Sequence, residues 1–440
     1  MSAFEKILNQ SEEYLKIKDC IRRGVHPFGV IGLSRIHKAH YISSLVKETG
    51  KKALIICSDE GEATKLCRDI SAFCEGAQLY PARDFRFREG ESKSLDFEQK
   101  RIGVLKNIAD GKCTVALCSI EAAIQATMPV SELEKRSFRI EVSQELSTHR
   151  AVNALLSAGY SRTEQVEGTG QFSLRGGILD IFPPGNENPV RVEFWGDNVD
   201  SVSTFDTESQ RRKEALDFVE ITPSREVLFD SPEEMKKRLE AFLPLIKGKG
   251  SVKAKALINE DIEKLSHFMS VANDKYISLA YEDKETIFDY MQDSLVFVCE
   301  SSSVKQKFNS VSALFTEDIK AMFEEGILTK GLDVFTLNWN EVLSFYEKSA
   351  TVYMDNLARG SFDTPVKALV SVNASLLSRW DGTLSFLMED LQPLIKLGFT
   401  CVIMAGTEKS AKERIIQRTN AICTEMEGAA IAHTAYRNQV

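Results

Sequence analysis

No stretch of about 18 apolar residues, the length that crosses a bilayer as a helix, occurs anywhere in the 440-residue chain. Its first twenty residues, MSAFEKILNQSEEYLKIKDC, are charged and amphipathic and lack the apolar centre of a secretory signal. These two absences predict a cytoplasmic protein with no membrane partner. Cysteines at CxxC spacing are missing as well. Nine cysteines, an odd number, are scattered along the chain, which argues against a disulfide framework or a zinc site and for reduced thiols in the core. Nor is there an excess of positive charge. A formal net charge of -9 repels a phosphate backbone unless basic residues gather on one face, so nonspecific nucleic-acid binding is not expected.

What is present is an ordinary globular composition, 43% hydrophobic and 27% charged, in a chain too long for one compact core. Residues 29–47 read as strand, turn and helix, 51–58 (KKALIICS) as a buried strand, and 60–74 as the helix after it. A helix over 97–109 leads into another short apolar run at 113–119 (CTVALCS). This β/α alternation predicts a parallel sheet, with residues 1–137 as its first part. From Val142 the texture changes to alternating segments punctuated by glycine and proline, as in GTGQFSLRGGILDIFPPGNENPVRVEFWGD, which predicts a β-rich insert over residues 138–223. Ser231-Pro232-Glu233-Glu234 supplies an N-cap serine, a first-turn proline and an N3 glutamate, and so returns the chain to helix and the second part of the α/β domain, residues 224–357. Residues 294–300 (SLVFVCE) are a further buried strand within it. Apolar runs at 366–372 and 400–405 flanking a helix over 383–396 predict a separate small α/β domain over 358–418, followed by a helical tail over 419–440.

Gly29-Val30-Ile31-Gly32-Leu33-Ser34-Arg35-Ile36 stands where a strand turns into a helix, the setting of a nucleotide phosphate loop. Such a loop needs a second glycine for close backbone approach, a lysine on the phosphates and a hydroxyl on magnesium. Ser34, Arg35 and Ile36 hold those positions instead. Isoleucine ligates no magnesium, and arginine does not replace the lysine like for like, so ATP binding is not expected and no cofactor is called for. His37 and His40 follow without a Cys or carboxylate neighbour and predict surface or capping residues rather than metal ligands.

On a strand Arg191-Val192-Glu193-Phe194-Trp195, Arg191, Glu193 and Trp195 share one face and Val192 and Phe194 the other. If the aliphatic face is core, a tryptophan and an arginine are displayed to solvent, and Arg175 can join them across the sheet. Arginine and tryptophan are enriched at binding hot spots. The alternative, a core Trp195 with solvated arginines, is equally compatible with composition.

These same residues carry a resemblance. Gly159-Tyr160, Gln165-Val166, Gly170-Gln171-Phe172, the run Arg175 to Pro183 (RGGILDIFP), Arg191 to Asp197 (RVEFWGD) and Phe205-Asp206 closely resemble the UvrA-binding domain shared by UvrB and the transcription-repair coupling factor (Mfd) family. The degenerate phosphate turn favours the coupling factors, as do Tyr80-Pro81-Ala82-Arg83 and Ser119-Ile120-Glu121-Ala122. The resemblance covers roughly residues 1–415. It implies a degenerate RecA/UvrB-like domain with an inserted UvrA-binding domain, and it implies that Arg175, Arg191 and the aromatic Trp195, with Glu193 beside them, contact UvrA. Phenylalanine is common at the last position, so tryptophan is a mild departure that keeps an apolar anchor. The family's RNA polymerase-binding domain and its ATP-driven DNA translocase lie beyond the matched region, so the resemblance implies a truncated, recruiting portion that is not itself an enzyme.

The last twenty residues, AICTEMEGAAIAHTAYRNQV, resemble instead the methylthioadenosine/S-adenosylhomocysteine nucleosidase family, in which a Met-Glu pair grips the ribose. Met426-Glu427 takes that place, but nothing upstream supplies the rest of such a domain, and the segment reads as a fusion scar without activity. Two further classes stay open. A nucleotide-dependent enzyme, an atypical ATPase using Arg35 or a nucleosidase using Glu427, would show in ATP titration or a nucleoside cleavage assay. UvrB-like binding of damaged DNA would show as a steeply salt-dependent mobility shift.

Overall fold

The computed structural model describes residues 8–88, 94–248, 250–267, 269–357, 361–374, 384–398, 401–404, 422–426 and 429–434. Among them, strands β1 (Phe28–Ile31), β2 (Ala53–Cys57), β3 (Ala77–Tyr80) and β4 (Val115–Ser119) alternate with helices Arg35–Thr49, Glu60–Ser71 and Asp96–Ala109. The chain then runs through β5 (Phe138–Glu141), β6 (Ser161–Arg162), β7 (Gln171–Arg175), β8 (Ile178–Ile181), β9 (Val190–Trp195), β10 (Asn198–Phe205), β11 (Arg212–Leu216) and β12 (Phe218–Ile221). It returns through β13 (Leu295–Cys299), β14 (Ala350–Asp355) and β15 (Leu369–Ser371).

β1–β4 and β13–β15 form one seven-stranded sheet in the order β15-β1-β14-β13-β2-β4-β3, parallel throughout. The continuous apolar runs have a simple cause. β2 (ALIIC), β4 (VALCS) and β13 (LVFVC) occupy the middle of the sheet and are buried at every position, as strands covered by helices on both faces must be.

The run expected to open a separate domain near residue 358 belongs to this sheet. β15 pairs with β1 in the register Gly29↔Leu369, and Phe362 and Val366 pack against the main core. Partition falls after Ser371, giving one compact unit of residues 17–371 and a second made of residues 372–440 with 1–16. The apolar run is legible in the sequence, but its pairing with β1 is not, because the two strands lie so far apart along the chain. In the second unit, helix Leu384–Lys396 is accompanied by a three-stranded antiparallel sheet of β16 (Cys401–Met404), β17 (Ile422–Met426) and β18 (Ala429–Thr434). The tail expected to be helical is therefore extended where it is described. Its isoleucines and threonines favour strands and outweigh its alanines.

Between β4 and β13, β6–β11 build a six-stranded sheet in chain order, antiparallel except for the β6–β7 pair. Helix Thr148–Ser157, capped by the Ser147 hydroxyl, lays Ala151 and Leu155 on one face. They meet Phe172, Leu179, Ile181, Val190, Val192, Val199 and Val202, so this insert owns a core. Its other face is left to Arg175, Asp180, Arg191, Glu193 and Ser201.

The segment leaving the insert is fastened to the α/β domain by buried ions. Just after β12, Glu226 is fully buried and accepts Arg101 Nε at 2.6 Å and the Thr127 hydroxyl at 2.8 Å, with Arg83 Nε 3.4 Å away. Arg83 also reaches Asp274 at 3.2 Å, and Arg225 donates to Glu98 at 3.0 Å. Burial alone would lower the Arg83 pKa, but Asp274, Glu226 and Glu98 together outweigh it and raise it. Glu98 is pushed upward by burial despite Arg225 and Arg83.

Candidate partner-binding face

Two short turns place the predicted residues. β7 passes to β8 through Gly176-Gly177, with Arg175 paired to Ile178 and Gly176 at φ +60°. β9 passes to β10 through Gly196-Asp197, with Trp195 paired to Asn198 and Gly196 at φ +62°. Two-residue hairpins need such left-handed positions, which glycine occupies without strain. Gly177 has a further reason: a Cβ there would lie 2.9 Å from the Phe194 carbonyl oxygen, while its own carbonyl accepts Phe194 N–H at 2.8 Å. Because β7 and β9 run the same way on either side of β8, both turns lie at one end of the sheet. Arg175 and Trp195 therefore stand at the same end.

Of the two alternatives for Trp195, the structure chooses solvent. Its side chain is 83% exposed, the most of any large hydrophobic residue among those described, and Ile178 beside it is also exposed. Val190 and Val192 point into the core, as strand alternation requires.

The two arginines converge on a residue to which sequence reasoning gave no role. Asp180, only 1% exposed, accepts Arg191 Nε at 2.6 Å and Nη2 at 2.9 Å, and Arg175 Nη2 at 2.7 Å. Arg191 is further held by Gln210, through its carbonyl at 3.1 Å and its amide oxygen at 3.2 Å, and its guanidinium lies 4.5 Å from the Phe205 ring centroid. The hydrogen bonds to Asp180 raise its pKa. The arginines consequently differ. Arg191, with its side chain 13% exposed, spends four of its five N–H groups inside the protein. Arg175, 50% exposed, donates to Asp180 through Nη2 and keeps much of its fork in solvent. Glu193 is paired with Arg212 and accepts the Ser201 hydroxyl at 3.0 Å. The signal for Asp180 was in the sequence: a carboxylate inside the apolar run Ile178-Leu179-Asp180-Ile181 must find a cationic partner.

The phosphate-like turn lies elsewhere, beside β1. Gly29 is inside the strand, and a Cβ on it would approach Leu369 and Phe362 to 2.8 Å, so this glycine serves strand packing rather than a phosphate cradle. Gly32, at φ +93°, starts a turn of three residues, and its N–H goes to the Asp355 carbonyl at 3.0 Å. Ser34 is the N-cap and its hydroxyl shares a hydrogen bond with His37 Nδ1 at 3.0 Å, while Arg35 is tied to Asp69 at 2.7 Å and Ile36 is exposed. Sequence reasoning missed Lys38, one turn on, which is buried and bonded to Glu300 at 2.5 Å. The cavity here, lined by Ser34, Lys38, Cys57, Cys299 and Glu300 among others, holds about 140 Å³. His40 stacks on Phe73 with ring centroids 5.3 Å apart. In the nucleosidase-like tail, Met426 ends β17 and Glu427 lies outside the described residues.

Comparison with known proteins bears on this geometry in two steps. Residues 138–227 match the UvrB interaction domain family, so the chain carries that domain as an insert in a parallel α/β fold. More particularly, the chain is similar to transcription-repair-coupling factors. It is 26% identical over 428 residues to that of Bacillus subtilis (strain 168), covering 94% of this chain and 36% of the relative. It is 25% identical over 413 residues to that of Staphylococcus aureus (strain MRSA252), covering 90% and 34%. The chain thus spans about a third of the length of the curated relatives it matches. No helix among the described residues is long and apolar enough to cross a membrane.

Proposed function

We propose that this chain recruits UvrA through the β7–β10 face of its insert, contributing a protein–protein contact to the coupling of transcription with nucleotide excision repair. The observation that carries the reading is an 83% exposed Trp195 at the end of a sheet where two arginines are already organised by the buried Asp180. Trp195 supplies the apolar anchor. Arg175, bonded to Asp180 through Nη2 and half exposed, supplies its remaining N–H groups to an acidic group on UvrA. Arg191 acts mainly by fixing Asp180 and the Gln210 turn, with its remaining N–H available to the partner. Clustered aromatic and arginine anchors of this kind carry most of the energy of an interface.

This reading calls for no ATP. A cavity of about 140 Å³ is small beside the roughly 300–1,000 Å³ of ordinary small-molecule sites, and its lysine is committed to Glu300. Titration calorimetry of the chain against UvrA is the test, with Arg191→Ala expected to weaken binding by roughly 1–3 kcal/mol. Undiminished binding by Arg191→Ala and by Trp195→Ala together would remove the reading.

A further inference from the structure

The cavity beside the phosphate-like turn has two thiols on its wall that UvrA recruitment leaves unused. Cys57 ends β2 and Cys299 ends β13, neighbouring parallel strands paired in the register Ile56↔Val298. One position further, Cys57 and Cys299 stand side by side on the same face of the sheet. Strand neighbours lie about 4.8 Å apart, within the roughly 4.4–6.8 Å between Cα atoms that a disulfide spans. Both thiols are free and line the same cavity as Ser34, Arg35, Lys38 and Glu300, although only 2% and 6% of the two residues is exposed. A small molecule therefore reaches them through the cavity or not at all.

Their surroundings separate them from the other buried thiols. The neighbouring Cys299 and burial raise the Cys57 pKa, whereas that of Cys299 is lowered first by Cys57 and also by the Lys38 ammonium, against the upward push of burial. Cys118 and Cys113, by contrast, are pushed up to about 12 by burial. Thiolates, not thiols, are the reacting species.

We propose that Cys57 and Cys299 form an oxidisable dithiol site, in which a hydroperoxide entering the cavity converts the pair to a disulfide joining β2 to β13. The Cys299 sulfur attacks the distal peroxide oxygen, the O–O bond breaks, and the leaving oxygen takes up a proton, giving a sulfenic acid and, from hydrogen peroxide, water. The Cys57 sulfur then attacks the sulfenyl sulfur and expels the hydroxyl as a second water, the thiol proton going with it. Two thiols are oxidised and one peroxide is reduced, so electrons balance.

The full chain is treated with graded hydrogen peroxide at neutral pH, quenched with N-ethylmaleimide, and digested without reduction for mass spectrometry. The expected product is a linked peptide pair containing Cys57 and Cys299, lighter than the two free peptides by two hydrogen atoms and separated again by dithiothreitol. In the untreated chain, iodoacetamide should label Cys299 at least about tenfold faster than Cys118. In Cys57→Ser, Cys299 should stop at the sulfenic acid and be trapped by dimedone; if that variant fails to fold, the unmutated mapping decides alone. The proposal is overturned if peroxide links other cysteines first, if exposed methionines oxidise while Cys57 and Cys299 stay reduced, or if Cys299 is labelled no faster than Cys118.

Discussion

The arginine–carboxylate cluster at the root of the insert and the one on its open face do opposite things with the same chemistry. At the root of the insert, Arg83, Arg101 and Arg225 are enclosed with Glu98, Glu226 and Asp274, and the charges spend themselves on one another. On the insert's open face, one buried carboxylate, Asp180, holds two arginines and leaves much of Arg175 outside. A closed cluster defines where one part of the chain meets another. A cluster left open at one side keeps donors in solvent, which is what the proposed contact with UvrA needs.

Removing one carboxylate from each cluster should break this comparison if it is wrong. Glu226→Ala strands Arg101 without its closest partner in a fully buried site and should cost about 3–5 kcal/mol of unfolding free energy in urea denaturation. Asp180→Ala leaves the partly exposed Arg191 to water and Gln210 and should cost only about 1–3 kcal/mol, while weakening UvrA binding. Equal losses of stability would show that the two clusters are not distinct in kind. Next in size, Trp195→Ala should weaken UvrA binding by about 2–4 kcal/mol and leave stability within about 0.5 kcal/mol, because an exposed side chain supports nothing in the fold. A melting temperature that falls with the affinity would place the tryptophan in the architecture instead.

The smallest effect concerns the turn that delivers Gln210 to Arg191. Asp206 opens that turn, and its carboxyl is lowered to about 2, first by the Ser209 N–H, then by Lys213 and the Ser209 hydroxyl. A folded pKa below the unfolded value stabilises the ionised form. The turn's support should therefore be complete above the ordinary carboxylate value of 3.8 and vanish as pH falls through about 2. Carbon-detected NMR of the Asp206 carboxyl checks this, and a midpoint near 3.8 would mean that the turn is not held as drawn.

Local pattern made the open face legible, because everything that builds it lies within one meander. Strand alternation set Arg191, Glu193 and Trp195 on one side, and the glycine and proline punctuation marked the β-rich texture, within which the Gly-Gly and Gly-Asp turns bring Arg175 and Trp195 to the same end. Composition could not decide between solvent and core for Trp195, since an aromatic on a strand suits both. The closed cluster was hidden for the reason the pairing of β15 was: Arg101 and Glu226, like Gly29 and Leu369, meet only after long stretches of chain have folded between them. Lys38 was overlooked because it stands one helical turn beyond the place where a phosphate loop keeps its lysine.

The insert's first and last strands have a consequence of their own. β5 and β12 run side by side, Phe138 opposite Ile221 and Glu141 opposite Phe218, so the chain leaves and re-enters the host domain about one strand spacing, ~4.8 Å, apart. A segment whose two ends meet can be lifted from one scaffold and set into another without stretching either. That is the shape of a cassette, a part that can change hosts without straining its own fold.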